Sequence, residues 1–135
     1  MADIYLKTDG SALKILYMAI AGVAGTLLRY WLGGAVQRAA GAGFPWGTFT
    51  VNMAGCLLFG AVWSAAEGRL AITGETRTVI LVGFMGAFTT FSSFIFETNQ
   101  LMRDSQWALA LGNIALQNIT GIICLMLGLA LGRLL

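Results

Sequence analysis

The residues best placed to do chemistry form one run, Gly86-Ala-Phe-Thr-Thr-Phe-Ser-Ser-Phe94, in the middle of a hydrophobic segment long enough to cross a bilayer. Lipid offers no hydrogen bonds, so a membrane helix normally avoids four hydroxyls within five residues. Where such a run occurs, it faces protein, water or an ion. Phe88, Phe91 and Phe94, at spacing three, would line one stripe of a helix, with Thr89, Thr90, Ser92 and Ser93 beside it. Aromatic edges interleaved with hydroxyls, deep in a membrane and free of charge, suggest a permeation path.

Other polar residues also fall inside hydrophobic segments. Asn52 has Thr48 one turn before it and Gly55 about one turn after. An amide at that depth needs a partner, either a neighbouring helix or a passing anion that accepts from its NH2 group. Asn113 and Gln117 share a face at i and i+4 that continues to Thr120 and Gly121, while Asn118 lies off it. The pair could face an aqueous vestibule or clamp a helix. Arg29 is the only basic residue well inside such a segment. It could snorkel to the interface as an anchor or attract anions at a pore mouth. Glu97 lies near the end of its segment, suited to capping or pairing there. Gly83, Gly86 and the β-branched pair Thr89-Thr90 mark the place for a helix break. Freed carbonyls at membrane depth need a cation, water or donors. Two symmetry-related breaks meeting at a dimer axis could coordinate a hard monovalent cation.

The elements that must position these residues are membrane helices. Hydrophobic residues make up 58% of the 135 residues and charged residues 10%, a membrane composition rather than a soluble one. The expectation is an all-α integral membrane protein, one domain of four spans at about 12–36, 46–66, 78–102 and 107–134. Gly41, Gly43 and Pro45 mark the first loop, Glu67 to Glu75 the second, and Arg103-Asp104-Ser105 the third. Trp46 and Trp107 open their helices where interfacial aromatics belong. The polar lead-in, residues 1–10, does not read as a signal peptide.

Histidine is absent, which excludes His-based acid–base catalysis and zinc sites of the usual kind. Cys56 and Cys124 read as apolar packing residues. A net charge of +2 is too small to argue for nucleic acid. Lys7, Lys14, Arg69, Arg77 and Arg133 fall on one side of the membrane, against Arg38, Arg103 and Arg29 on the other. That bias slightly favours a cytoplasmic N-terminus and is weak enough to permit both orientations. A chain inserted both ways could build a two-fold dimer with its axis in the membrane plane. Four helices enclose little volume, so a pore forms more easily between protomers than within one. The glycines, including the Gly128-x-x-x-Gly132 pair, allow close helix approach.

Three stretches together resemble the small fluoride channels of the Fluc/CrcB family. They are Gly25-Thr-Leu-Leu-Arg29-Tyr, Trp46-Gly-Thr-Phe-Thr-Val-Asn52, and Gly83-Phe-Met-Gly86-Ala-Phe-Thr89-Thr-Phe91-Ser-Ser-Phe94 with Glu97-Thr98 after it. Their order and spacing cover nearly the whole chain. The resemblance implies an antiparallel, dual-topology homodimer in the inner cell membrane, with two narrow pores passing fluoride down its gradient. Phe91 and Phe94 would be the pore phenylalanines, whose electropositive ring edges can face an anion. Asn52 would be the pore asparagine, with Thr48 close to it. Ser92 and Ser93 would contribute to a hydroxyl track. Gly86 and Thr89 would give backbone carbonyls from both protomers to a structural sodium ion that does not move with fluoride. Asn113 and Gln117 stand where the family often has tyrosine and serine, a departure that keeps donors but alters their reach.

Two other readings compete. A proton-coupled small multidrug exporter is also small and four-spanning, yet it needs a carboxylate at mid-depth that the first three helices lack. A non-transporting scaffold subunit would explain the glycines and leave the hydroxyl–phenylalanine run and Asn52 unmotivated. No nucleophile–base pair or metal cluster supports an enzyme.

Overall fold

The computed structural model describes residues 12–67 and 72–134. The polar lead-in and Arg69 of the second loop lie outside the described residues. Four helical stretches are long and apolar enough to cross a membrane: Ala12–Ala40, Trp46–Glu67, Gly74–Arg103 and Trp107–Gly132. The described residues contain no strand.

The first helix, α1 (Ala12–Ala40), runs on past residue 36 because residues 37–40 contain neither glycine nor proline. Gly41 takes φ +87°, a conformation that ends a helix at little cost only for glycine. Gln37 then ties the first loop together. Its Nε2 donates to the carbonyls of Gly41 (2.6 Å) and Phe44 (2.9 Å), and its Oε1 accepts from the Gly47 N–H (2.9 Å). That last bond satisfies one of the orphan donors at the start of α2 (Trp46–Glu67).

The third span is assembled from pieces. Thr73 caps a short α3 (Gly74–Thr78), its hydroxyl accepting from the Thr76 N–H at 3.2 Å. A wider π-helical stretch, Val79–Phe84, follows, with the Met85 N–H reaching back to the Ile80 carbonyl. After α4 (Met85–Phe88), Thr89 and Thr90 are both extended (φ −84°, ψ 163° and φ −150°, ψ 114°). They separate it from α5 (Phe91–Arg103). A tight turn through Ser105, at φ 59°, leads into α6 (Trp107–Gly132).

Glycine decides how these helices pack. In lipid no hydrophobic force draws helices together, so association depends on close backbone approach. The tightest seam joins α2 and α6. A Cβ at Gly60 would sit 2.8 Å from the Leu129 nitrogen, and one at Gly128 would sit 2.9 Å from the Leu57 carbonyl carbon. Gly25 of α1 likewise lies against the Phe84 and Phe88 backbone. The buried cluster Val51, Leu81, Met85 and Phe88 fills the space between α1, α2 and the upper third span, with Leu32, Phe59 and Trp63 packed on it. At one edge the Arg77 guanidinium lies 3.5 Å from the Trp63 ring centroid and 3.7 Å from Glu67. That contact holds the second loop's flanks together.

Candidate functional site

The site is built on the two extended threonines. Helical bonding ends at Thr89, whose N–H and hydroxyl both donate to the Met85 carbonyl at 3.1 Å. In a continuous helix the Thr90 N–H would donate to the Gly86 carbonyl. Here it donates to Asn52 Oδ1 at 2.9 Å, and Asn52 Nδ2 returns a bond to the Thr90 carbonyl at 3.1 Å. The carboxamide of α2 thus substitutes for a peptide group and pairs both polar atoms of Thr90, meeting the requirement that backbone at membrane depth be satisfied. Nδ2 has one more hydrogen, and it goes to Gln117 Oε1 at 3.2 Å. Both N–H groups of Asn52 therefore have protein acceptors.

Thr90 also caps α5. Its hydroxyl accepts from the Ser93 N–H at 3.2 Å and donates to Ser93 Oγ at 2.9 Å. The Ser93 N–H is in consequence diverted from the Thr89 carbonyl, as the Thr90 N–H is from Gly86. Ser92 Oγ is 3.4 Å from the same threonine hydroxyl and lies on the exposed side. Gly86 is exposed as well, and a Cβ there would meet nothing within 4 Å.

The three phenylalanines part company. The extended residues take Phe88 off the stripe that a continuous helix would give it. It is 1% exposed and stacks on Phe84, ring centroids 5.7 Å apart. Phe91 and Phe94 stay together at 5.7 Å with planes at 58°, a tilted pair. Phe94 is buried, whereas Phe91 stands 74% exposed on the single chain.

The two amides of α6 also differ. Asn113 is fully buried and donates from Nδ2 to Thr98 Oγ1 at 2.8 Å, and that hydroxyl donates to the Phe94 carbonyl at 2.7 Å. This relay pins α5 to α6 directly beneath Phe94. Gln117, one turn along, receives Asn52 instead. Asn118 bonds its own helix at Ile114 and faces outward.

Two cavities flank the extended residues. One, of about 410 Å³, is lined by Asn52, Gly86, Thr89, Thr90, Phe91, Phe94 and Gln117, and carries no ionisable acid or base beyond the Cys56 thiol. The other, of about 450 Å³, is lined by Arg29, Gln37, Thr48, Thr90, Ser93 and Glu97. In it Thr48 Oγ1 donates to Glu97 Oε1 at 2.7 Å. Thr90 lines both, so the Thr90–Asn52 pairing forms part of the wall between them. Of the residues singled out in the sequence, Arg29, Thr48 and Ser93 gather on the polar side. Asn52, Phe91, Phe94 and Gln117 gather on the aromatic side. Asn113 lines neither cavity. The roles of the Thr90 peptide, of Thr98 and of Gln37 carry no such sequence signal: each depends on which neighbour packs against it. Among the described residues no cluster of His, Cys, Asp or Glu could hold a metal ion.

A chain of four apolar spans, with paired aromatic rings and amide groups around an uncharged cavity at membrane depth, is a multi-pass membrane protein of the channel or transporter kind. Residues 16–129 match the family model described as CrcB-like protein, Camphor Resistance (CrcB), and the chain belongs to that family. Its relatives include proteins named fluoride-specific ion channel FluC. That of Nitrosococcus oceani is 52% identical over 122 residues, covering 90% of this chain and 98% of the relative. Those of Solidesulfovibrio magneticus and Desulforapulum autotrophicum are 52% and 50% identical, each over 122 residues and the same shares of both chains. The family's function is ion conduction rather than catalysis.

Proposed function

We propose that this protein is a fluoride-selective channel working as an antiparallel, dual-topology homodimer, giving passive fluoride efflux and so protection from fluoride toxicity. The observation that carries the reading is the aromatic pair itself. Phe91 is a large ring left exposed beside Gly86 and an uncharged cavity, on a face that a second copy of the chain would cover. Relatives named as fluoride channels match nearly the whole length of the chain and supply the identity of the ion.

The chemistry suits that ion. Fluoride is small and strongly hydrated, so a path must replace its water with several donors at close range. A fixed cation at the narrowest point would hold it too tightly for exit. Phenyl edges, hydroxyls and amides offer weaker, multiple sites. On the polar side Arg29 would draw anions to the mouth, opposed by Glu97, whose carboxylate the Thr48 hydroxyl holds, with Ser92 and Ser93 leading toward the rings. Asn52 would hold the extended residues in shape, and Phe91 and Phe94 would contact the ion. The negative membrane potential then drives fluoride outward.

The interruption at Thr89–Thr90 would be the structural centre of the dimer. The Gly86 and Thr89 carbonyls both lose their helical donors, one to Asn52 and the other to the Thr90 hydroxyl. Paired with their copies from the partner, these carbonyls fit a hard monovalent cation such as sodium, bound structurally and not transported. No protein side chain need carry its charge.

Efflux from liposomes containing the purified protein tests the reading. Fluoride should leave rapidly and chloride hardly at all, and exchanging sodium for a larger cation should weaken the dimer. A folded dimer that releases neither ion would remove the fluoride-channel assignment.

A further inference from the structure

The geometry points to Cys56 and Cys124 as a dithiol site between α2 and α6 that takes a soft divalent cation, of which mercuric ion is the type, as a neutral two-coordinate bis-thiolate. Both cysteines are free and half-buried, and the channel reading above needs neither. The two helices run in the same direction, with Cys56 beside Gly121 and Gly60 beside Leu125 and Leu129. A Cβ at Gly121 would lie 3.6 Å from Cys56 Sγ. Cys124 follows Gly121 by three residues, so its Cβ stands about 5–6 Å from that same position on the same face of α6. Helical side chains lean toward the N-terminus, which carries the Cys124 sulfur back over the turn beginning at Gly121, toward Cys56. Cys124 also acts electrostatically on the Cys56 thiol, as a neighbouring sulfur does. A metal–sulfur bond of about 2.3 Å makes a linear S–metal–S unit about 4.6 Å across, the scale of a gap between helices in such close contact.

The donor set selects the ion. Thiolate is a soft ligand, and among the described residues no three His, Cys, Asp or Glu side chains come together, so zinc's four-coordinate requirement goes unmet. A soft ion satisfied by two ligands remains. Charge narrows the choice further. Two thiolates around a divalent cation sum to zero, whereas around Ag+ or Cu+ they leave a net negative charge at membrane depth, which is costly. Binding breaks two S–H bonds, forms two S–metal bonds and releases two protons, with no change of oxidation state. Cys56 lines the cavity of about 410 Å³, which gives the ion a way to the sulfur. Mercuric chloride is uncharged and also reaches it through lipid.

Titrating the purified protein in micelles with mercuric chloride tests the site. Thiolate-to-mercury absorption in the ultraviolet should saturate at one ion per chain, with two protons released per ion. The bound ion should raise the unfolding temperature, because it ties α2 to α6 only in the folded chain. Cys56→Ala and Cys124→Ala should each still take up one ion, now with one proton released and no rise in unfolding temperature. Saturation of the unaltered protein at two ions per chain would mean that each thiol binds alone, and would overturn the assignment. So would a single-cysteine variant that keeps both the two-proton release and the thermal shift, or equal stabilisation by Zn2+. None of these readouts involves fluoride, so the site and the channel reading stand or fall separately.

Discussion

Asn52→Asp changes one atom's chemistry without changing shape, which makes its consequence calculable. Oδ1 can still accept from the Thr90 N–H at 2.9 Å. The other oxygen, standing where Nδ2 was, faces the Thr90 carbonyl and Gln117 Oε1, formerly bonded at 3.1 and 3.2 Å. The hydrogen bond to the Thr90 carbonyl is lost, worth about 0.6 to 1.5 kcal/mol in a membrane protein. Two oxygens now face each other there, Gln117 keeps a bond only by turning its unpartnered Nε2 inward, and an ionised carboxylate adds a desolvation cost. The sum is a destabilisation of about 2–4 kcal/mol at neutral pH. It should shrink as pH falls, because a protonated carboxyl can again donate to Thr90 or Gln117. Reversible unfolding in mixed micelles, followed by tryptophan fluorescence at several pH values, reads both quantities. A change below about 0.5 kcal/mol, the range of an ordinary surface substitution, would refute the claim that Asn52 braces the extended backbone.

Phe91→Ile and Phe94→Ile should each cut fluoride efflux by about tenfold or more, since about 1.4 kcal/mol of lost aromatic contact is that factor in rate; unchanged efflux from either variant would remove that ring from the path. Gly128→Val should destabilise the fold by about 1–3 kcal/mol, because a Cβ there already meets the Leu57 backbone; a fully stable variant would mean the α2–α6 seam can open. Thr98→Val keeps the side-chain shape and removes the hydroxyl between Asn113 and the Phe94 carbonyl. It should cost about 1–2 kcal/mol in unfolding measurements and lower efflux less than Phe94→Ile does. Equal losses of flux in the two variants would show that the relay reaches the ion and does more than position the ring.

The spans were legible in the sequence because a 20-residue apolar window has few other uses, and Gly41 with Pro45 punctuates the first loop without ambiguity. The end of α1 was less so: residues 37–40 contain neither glycine nor proline, and the helix continues to Gly41, where the chain takes a positive φ. The π-helical stretch at Val79–Phe84 has no period that a reading of apolar residues would separate from an α-helix. Polar residues were legible as to type and depth, not partner. Spacing of i and i+4 places Asn113 and Gln117 on one face, yet which neighbour each meets depends on how α5 and α2 cross α6. Phe88 belongs to the stripe only if the helix is continuous, and two extended residues send it to the core instead.

The central claim is a selective fluoride path, and the most direct test is a reversal potential. Purified protein in a planar bilayer, with a fluoride gradient opposed by chloride, should carry current that reverses close to the Nernst potential for fluoride. It should shift little when chloride is changed. Reversal near the chloride potential, or near zero with both ions passing, would contradict the account.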